Sequence, residues 1–354
     1  MKTVIIGGGP AGLITGLRLL EKENETLILE KKPKIASTAC AEGCDIKSLK
    51  KIPFDSSSYI SKKIKGFKLV FPDGKWLLCN TDGVVLDRNR WLKGMADEFK
   101  KRGGTLKTNA NVKSIKESNL ILQNGEQIKY DRLIGADGPY SIIGKNMGIN
   151  QKHPCGVQYK IKYDTSNMDY LELYLDKKFS EHYSWVFPKD NVINVGLLGK
   201  FSQLDSFLDY LKIEKNIVSK EGGAIPLCGI SKKIVEENKA LIGDAASMTN
   251  PLSGGGITPI IHASSILAKN IYDFKNYEKE VQNHPMFHKD ILKATNVLLK
   301  TDNNDLEKIG KIFHGKVLGE MTNLDFLRIS KYPLIAPKIS AIGKGLGISL
   351  KWGW

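Results

Sequence analysis

Thr3-Val4-Ile5-Ile6 runs directly into Gly7-Gly8-Gly9-Pro10-Ala11-Gly12, and beyond the last glycine Leu13, Ile14, Leu17 and Leu20 recur at helical spacing. Thr26-Leu27-Ile28-Leu29 then reads as a second buried strand that ends at Glu30. Strand, Gly-x-Gly-x-x-Gly turn, helix, strand and terminal acid form a βαβ unit of about thirty residues. No other feature constrains the fold as much. In such a unit Gly7 permits the tight turn, Gly9 lets a pyrophosphate approach the backbone, and Gly12 lets the helix lie close on the strand. The helix N-terminus, with Pro10 and Ala11 in its first turn, faces the phosphates. Glu30, with Lys31 beside it, stands where a carboxylate accepts hydrogen bonds from ribose hydroxyls. The unit predicts a Rossmann-like dinucleotide site.

A second glycine-rich stretch lies more than two hundred residues downstream, about the length of a further domain. Gly243-Asp244-Ala245-Ala246-Ser247 is followed by Asn250-Pro251-Leu252-Ser253-Gly254-Gly255-Gly256-Ile257. A nicotinamide dehydrogenase has little use for such a remote loop. A flavoprotein does, because the ribityl chain and isoalloxazine ring extend far from the site that holds the adenosine. The two motifs together point to bound FAD. Between them, Gly135-Ala136-Asp137-Gly138-Pro139-Tyr140-Ser141 ends a strand, and Arg88-x-x-Trp91-Leu92 opens a helix over residues 88–101.

The intervening segments have a different texture. Phe67–Phe71 and Lys75–Leu78 flank the turn Pro72-Asp73-Gly74, and residues 120–122 and 127–128 flank Asn124-Gly125, which predicts two hairpins. Residues 156–198 alternate apolar and polar positions, which predicts a mainly antiparallel sheet. Residues 258–272 read as a helix, and 276–354 as mostly helical and Lys-rich. The expected fold is therefore α/β with α+β elements: a Rossmann-like FAD-binding domain interrupted by a β-sheet substrate domain. We expect residues 1–60, 83–150 and 226–275 in the first, 61–82 and 151–225 in the second, and 276–354 as a C-terminal helical region.

The order Gly-x-Gly-x-x-Gly, Gly-Ala-Asp-Gly-x-x-Ser, Gly-Asp-Ala-Ala resembles the hydroxybenzoate-hydroxylase-like flavoproteins. The resemblance implies Asp244 near the ribityl chain, with Gly255, Gly256 and Ile257 beside the ring. Backbone N–H groups there would stabilise negative charge on reduced flavin. Val112, Asp137 and Gly138 are implied in cofactor binding too. Arg88 would contact the adenine or pyrophosphate side, its alternative being a surface residue of an amphipathic helix. The bland reading of Asp244 is a helix cap.

Two further motifs, Cys40-Ala41-Glu42-Gly43 and Tyr183-Ser184-Trp185-Val186-Phe187-Pro188-Lys189, resemble those of the geranylgeranyl reductase family, and all five motifs come in that family's order. The resemblance covers about residues 1–275 and implies FAD-dependent saturation of polyprenyl double bonds, in archaea those of ether lipids, by hydride from flavin N5. It places Cys40, Glu42, Tyr183 and Trp185 at the reaction space. Cys40 would donate or relay a proton, pack against the flavin, or pair with Cys44. Glu42 would position Cys40 or substrate, or bind FAD through a turn. The Tyr183-Trp185-Phe187 alternation serves either an apolar tunnel or half of a sheet–sheet core. Rival readings are a flavin monooxygenase of the same fold and a non-catalytic FAD- or lipid-binding protein.

The five cysteines form no CxxC pair, so no metal site is expected. The net charge of +15 fits a solvated Lys-rich surface, or attraction to anionic headgroups or an acidic partner; without a binding motif, nucleic acid is not expected. The implied partners are a polyprenyl lipid, NAD(P)H or ferredoxin as electron donor, and a membrane surface touched peripherally. No run is long and apolar enough to span a bilayer, and the first strand starts too near Met1 for a signal peptide, so a cytoplasmic protein is expected. The tail carrying Ile329, Tyr332, Leu334, Ile335, Ile339, Ile342, Leu346, Trp352 and Trp354 either docks on that surface or packs as a cap.

Overall fold

A computed structural model describes residues 1–35, 39–322, 325 and 327–354. The N-terminal βαβ unit forms as the sequence predicts. Strand Lys2–Ile6 pairs in parallel with Glu25–Leu29, and helix Pro10–Leu20 connects them. Four strands extend this sheet, in the order Val235–Glu236, Lys239–Leu241, Arg132–Gly135, Lys2–Ile6, Glu25–Leu29, Thr105–Lys107. All pairs are parallel except the outermost, Val235–Glu236 on Lys239–Leu241. Its central residues Val4, Ile5, Ile28 and Ile134 are fully buried. Helix Pro10–Leu20 packs between helix Arg88–Lys101, which has the expected span, and helix Ile257–Lys269.

Parallel strands end at the same edge of a sheet, and ligands bind outside those carboxyl ends. Here Gly7, Glu30, Ala136 and Ile242 all follow strand ends, held side by side by backbone hydrogen bonds. Gly7 N donates to Leu29 O (2.8 Å), Ala136 N to Ile6 O (2.8 Å) and Ile242 N to Gly135 O (2.9 Å). Topology alone thus brings together three motifs scattered over the chain.

The second sheet runs Ile217–Ala224, Cys155–Lys162, Val192–Leu198, Ser184–Lys189, Tyr170–Tyr174, Ile60–Val70, Trp76–Leu86, Lys316–Leu318, with Gly43–Asp45 also on Trp76–Leu86. It is mainly antiparallel, as expected, with two parallel joins: Tyr170–Tyr174 on Ile60–Val70, and Lys316–Leu318 on Trp76–Leu86. The second join means that the C-terminal region, expected to be mostly helical, also covers a sheet edge that would otherwise be open. Strand Trp76–Leu86 runs across the boundary expected at residue 83, and its Gly83–Val85 end pairs with Gly43–Asp45.

Among the described residues, the C-terminal region also carries helices Phe274–Gln282, Lys289–Leu299, Asn303–Phe313 and Ala336–Trp352. Ala336–Trp352 lies on Lys289–Leu299, where a Cβ at Gly345 would run into Ala294 Cβ and come 3.0 Å from Asp290 O. Glycine is needed for that approach.

Candidate functional site

The first glycine loop has the geometry of a phosphate cradle. Gly7 has φ +109°, and a Cβ there would strike Ala136 O; a Cβ on Gly12 would strike Gly7 O. Gly9 differs, since its Cβ would meet nothing within 4 Å. Helix Pro10–Leu20 starts there with Pro10 in its first turn and no side-chain cap, so no side chain accepts from its first amides. Glu30 closes the loop from the neighbouring strand: Gly8 N donates to Oε2 (2.8 Å) and Lys32 N to Oε1 (2.9 Å). Ala110 N donates to Glu30 O, which brings the Val112 segment alongside, with the Val112 side chain buried. Lys31 is exposed.

The other motifs meet this loop. A Cβ on Gly243 (φ +68°) would lie 2.9 Å from Ala11 Cβ, so the third motif touches the first. Asp244 Oδ1 accepts from Thr249 Oγ1 (2.9 Å). Burial pushes the Asp244 carboxyl above its ordinary pKa, opposed by Thr249 and by the Arg88 guanidinium. Burial likewise raises Asp137; its Oδ2 accepts from Ile142 N (2.7 Å) while its Oδ1 is buried with no partner. Gly138 beside it also has open space at its Cβ position. Arg88 is the first residue of its helix and is buried, whereas Arg90 lies exposed over the Tyr59 ring. An uncapped helix start, open glycines and a buried carboxylate oxygen without a partner suit a dinucleotide with hydroxyl donors.

The Cys40–Gly43 turn docks on one face of the large sheet. Glu42, at φ +71° and 2% exposed, sends its carboxylate into that face. Lys189 Nζ lies 2.8 Å from Oε2, Asn194 Nδ2 donates to Oε2 (3.2 Å), and Lys160 Nζ is 3.5 Å from Oε1. Burial lowers the Lys160 pKa, but Glu42 and Glu221 outweigh it and the net shift is upward. Asn194 Nδ2 also donates to Ala41 O (3.0 Å). Glu42 N donates to Cys40 Sγ at 3.2 Å. The Glu42 carboxylate is therefore taken up in holding the turn. Cys40 and Cys44 are both free thiols, so the disulfide alternative does not hold; Cys44 is buried and its pKa is raised by that burial.

Tyr183 and Trp185 are nearly buried, with ring centroids 6.2 Å apart. Trp185 Nε1 donates to Gln158 Oε1 (2.9 Å). Its indole lies over Gly196, where a Cβ would come 2.5 Å from Trp185 Cε2 and from Val157 O. That contact explains why a glycine-containing strand follows the aromatic motif. Tyr183 Oη donates to Ser253 O, and His182 Nε2 is 3.2 Å from Pro251 O. The second glycine loop is thus bound directly to the aromatic motif.

The loop is also held from within. Asn250 Oδ1 accepts from Leu252 N (2.9 Å) and Ser253 N (3.3 Å), Gly254 N donates to Asn250 O, and Gly255 N to Ser253 Oγ (3.2 Å). Its amides are largely spent on its own shape. Gly256 and Ile257 instead open helix Ile257–Lys269, which has no side-chain cap.

The C-terminal region completes the site, which its sequence did not signal. Asn250 Nδ2 donates to Ser349 Oγ (2.9 Å). The Trp354 indole enters an apolar cluster with Ile64, Phe67, Cys79, Val85 and Leu171, edge-on to Phe67 at 5.5 Å, and its backbone lies against Gly255. Of the nine apolar tail residues, Ile335 and Trp354 are buried and only Leu334 is fully exposed, at 88%. Most of the tail is a packed cap. Sequence reasoning passed over Gln158, Lys160, Thr249 and Ser349. His182, Lys189 and Asn194 stood within or beside a quoted motif, and that was their signal.

No protein-family model matches the chain. In solved structures, the chain resembles a geranylgeranyl bacteriochlorophyll reductase-like protein from Thermoplasma acidophilum, with TM-score 0.83 and 25% identity over 96% of this chain and 98% of that one. A probable FAD-dependent monooxygenase from Pseudomonas aeruginosa shares the fold at TM-score 0.69 and 13% identity, over 88% of this chain and 99% of that one. Among curated relatives, the digeranylgeranylglycerophospholipid reductase of Methanococcus vannielii is 30% identical in an alignment that covers 86% of this chain and 88% of the relative. With near full-length identity of that order, on a fold that gathers all five motifs at one place, this chain belongs to the digeranylgeranylglycerophospholipid reductase family.

Proposed function

We propose that the protein saturates C=C bonds in the geranylgeranyl chains of ether phospholipids, using FAD. The observation that carries the reading is the Glu42–Lys189 ion pair at 2.8 Å, with Tyr183 bound to Ser253 O. These contacts join the two reductase-type motifs to each other and to the second glycine loop. The parts of the chain at 1–60, 83–150 and 226–275 would hold the dinucleotide, those at 61–82 and 151–225 the lipid chain, with 276–354 as the cap.

Gly7, Gly9, Gly12 and the amides of Pro10–Leu20 would take the pyrophosphate, and Glu30, with Lys31 and the Val112 segment, the adenosine side. Arg88, Asp137, Gly138 and Asp244 would take the remaining polar groups, with Gly255, Gly256 and Ile257 at the ring. FAD supplies the hydride when bound and reduced. The second carbon of the alkene needs a proton, and we assign it to Cys40. Glu42 N–H donates to Sγ, so the thiol's own proton is directed elsewhere than at that amide. Tyr183, Trp185 and Phe187 would exclude water from the reaction space. The consumed electrons come from an external reductant, NAD(P)H or an acidic carrier such as ferredoxin that meets the basic surface.

Among the described residues, no helix is long and apolar enough to cross a membrane. Leu334 and the 61%-exposed Leu327 stand beside Arg328 and Lys331, and we infer that they touch the bilayer that holds the substrate. Purified protein should be yellow. After dithionite reduction it should add H2 per double bond to a digeranylgeranylglycerophospholipid, read by mass spectrometry. An unchanged lipid mass with a reducible flavin would refute the assignment. Sedimentation with anionic liposomes tests docking, which fails if Leu334→Ser with Leu327→Ser leaves binding intact.

A further inference from the structure

Gln158 belongs to none of the motifs, yet it touches two of them. It lies on strand Cys155–Lys162 and is 2% exposed. Its Nε2 donates to Cys40 O (3.0 Å) and to Glu221 Oε2 (3.1 Å), while its Oε1 accepts from Trp185 Nε1 (2.9 Å). The amide has one sensible orientation. Turned over, it would set its oxygen against a carbonyl and a carboxylate, and its NH2 against an indole N–H. Gln158 and Trp185 both pair with Gly196 in register, so they flank a position where the sheet carries no side chain.

We propose that Gln158 is a positioning residue for Cys40, fixing the thiol's direction by locking the Cys40 carbonyl to the Trp185 indole. The proposal rests on the reading of Cys40 given above. Asn194 holds the next carbonyl, Ala41 O, at 3.0 Å. Ala41 O and the Glu42 N–H belong to one peptide, so two successive carbonyls held from one sheet face set its plane, and that N–H meets Sγ at 3.2 Å. Glu42 at φ +71° needs such restraint, because a non-glycine residue in that region is strained. Removing Gln158 releases the first carbonyl and with it the fixed direction of Sγ.

The bland account is that Gln158 only satisfies the buried Trp185 N–H. The two accounts part in a cycle of Gln158→Met, Trp185→Phe and the double variant. Methionine keeps length and bulk without the hydrogen bonds. The readout is the alkylation rate of Cys40 by iodoacetamide, followed by peptide mass spectrometry in full-length, flavin-loaded protein. The exposed Cys155 and Cys228 serve as internal references. We expect Gln158→Met to speed Cys40 alkylation several-fold against both references, and to lower kcat roughly 10- to 100-fold with KM little changed, as for a misplaced catalytic group. We expect Trp185→Phe to speed alkylation as well, and Gln158→Met to add a smaller further change to Trp185→Phe, because the amide there is already free on one side.

A Cys40 rate that Gln158→Met leaves unchanged, or that returns to its unaltered value in the double variant, would overturn the proposal. Should Gln158→Met yield no folded protein, Trp185→Phe decides: it frees the amide from one side, and an unaltered Cys40 rate there overturns the proposal too. Alkylation needs no lipid, so failure of the Cys40 reading is seen separately, as a Cys40→Ala variant with full activity.

Discussion

Alternate residues of three strands face opposite ways and build two different environments. On Cys155–Lys162, Ser184–Lys189 and Val192–Leu198, the residues Tyr159, Ile161, Val186, Ile193, Val195 and Leu197 turn to one side. They pack beneath helix Phe201–Leu211 against Leu204, Phe207 and Leu208. Gln158, Lys160, Trp185, Lys189 and Asn194 turn to the other side and receive the Cys40–Gly43 turn. The apolar face stabilises in the usual way, at about 1.5–3 kcal/mol per large side chain buried. The polar face gains little net stability, because the desolvation of a buried ion pair roughly cancels its attraction. What the polar face supplies is direction: each of its hydrogen bonds fixes an atom of an irregular turn.

The largest effects should come from cutting each face at its centre. Lys189→Ala leaves the buried Glu42 carboxylate with a weaker partner, Lys160 at 3.5 Å, and should cost about 3–5 kcal/mol. Adding Glu42→Gln to Lys189→Met should restore most of that stability but not the activity. Phe207 is fully buried against Phe179 and Tyr174 at ring distances of 5.2 and 5.1 Å, and Phe207→Ala should also cost about 3–5 kcal/mol. In folded protein it should leave kcat near normal. Urea unfolding with kcat per bound flavin checks both. The contrast between the faces collapses if Phe207→Ala slows the reaction as much as Lys189→Ala does.

The same contrast explains what the chain reveals before it is folded. The βαβ unit was legible because the glycine spacing, the helical periodicity and Glu30 agree on one local structure. The apolar face was legible too, since Tyr159 and Ile161 alternate with polar neighbours. Gln158 and Lys160 then read as the solvent side of that alternation. Gln158 is buried and Lys160 largely covered because a turn more than a hundred residues upstream lies on them, and no local pattern records that contact. The Ser349 and Trp354 contacts were hidden for the same reason. Tail residues with an apolar stripe suit a membrane or a packed cap equally, and the partner surface decides between them.

His182 is a buried polar group outside both faces. Its Nε2 meets Pro251 O at 3.2 Å, while its Nδ1 has no partner. Burial lowers its pKa to about 4. An unfolded histidine titrates near 6.5, so the stability it supports is complete above that pH and falls as the pH drops toward 4, because only the unfolded chain takes up the proton. The loss should reach roughly 3 kcal/mol across that window. His262 and His284 are also lowered by burial and add to the slope, so the measurement is a difference. Unfolding free energies at pH 7 and 4.5 should diverge less in His182→Asn than in the unaltered protein. An equal divergence would mean that the glycine loop is held by Tyr183 without help from a neutral His182.

Gly196→Ala should give the smallest change in stability and the sharpest view of the polar face. The added methyl would press on Trp185 Cε2 and Val157 O, each at 2.5 Å before any relaxation. The carbonyl belongs to the paired strand and has little room to move, so the indole must yield. Overpacking of this kind costs about 1–3 kcal/mol. A displaced indole loses its hydrogen bond to Gln158, and through it the Cys40 carbonyl loses its anchor. The expected outcome is a folded protein destabilised by no more than that, with normal flavin content, altered tryptophan fluorescence and a reduced kcat. The apolar face predicts the reverse pairing for its own neighbour: Val195→Ala removes buried volume, lowers stability and leaves kcat unchanged. If Gly196→Ala and Val195→Ala shift stability and kcat in the same proportion, the two faces do the same work, and the polar one has no claim to positioning the thiol.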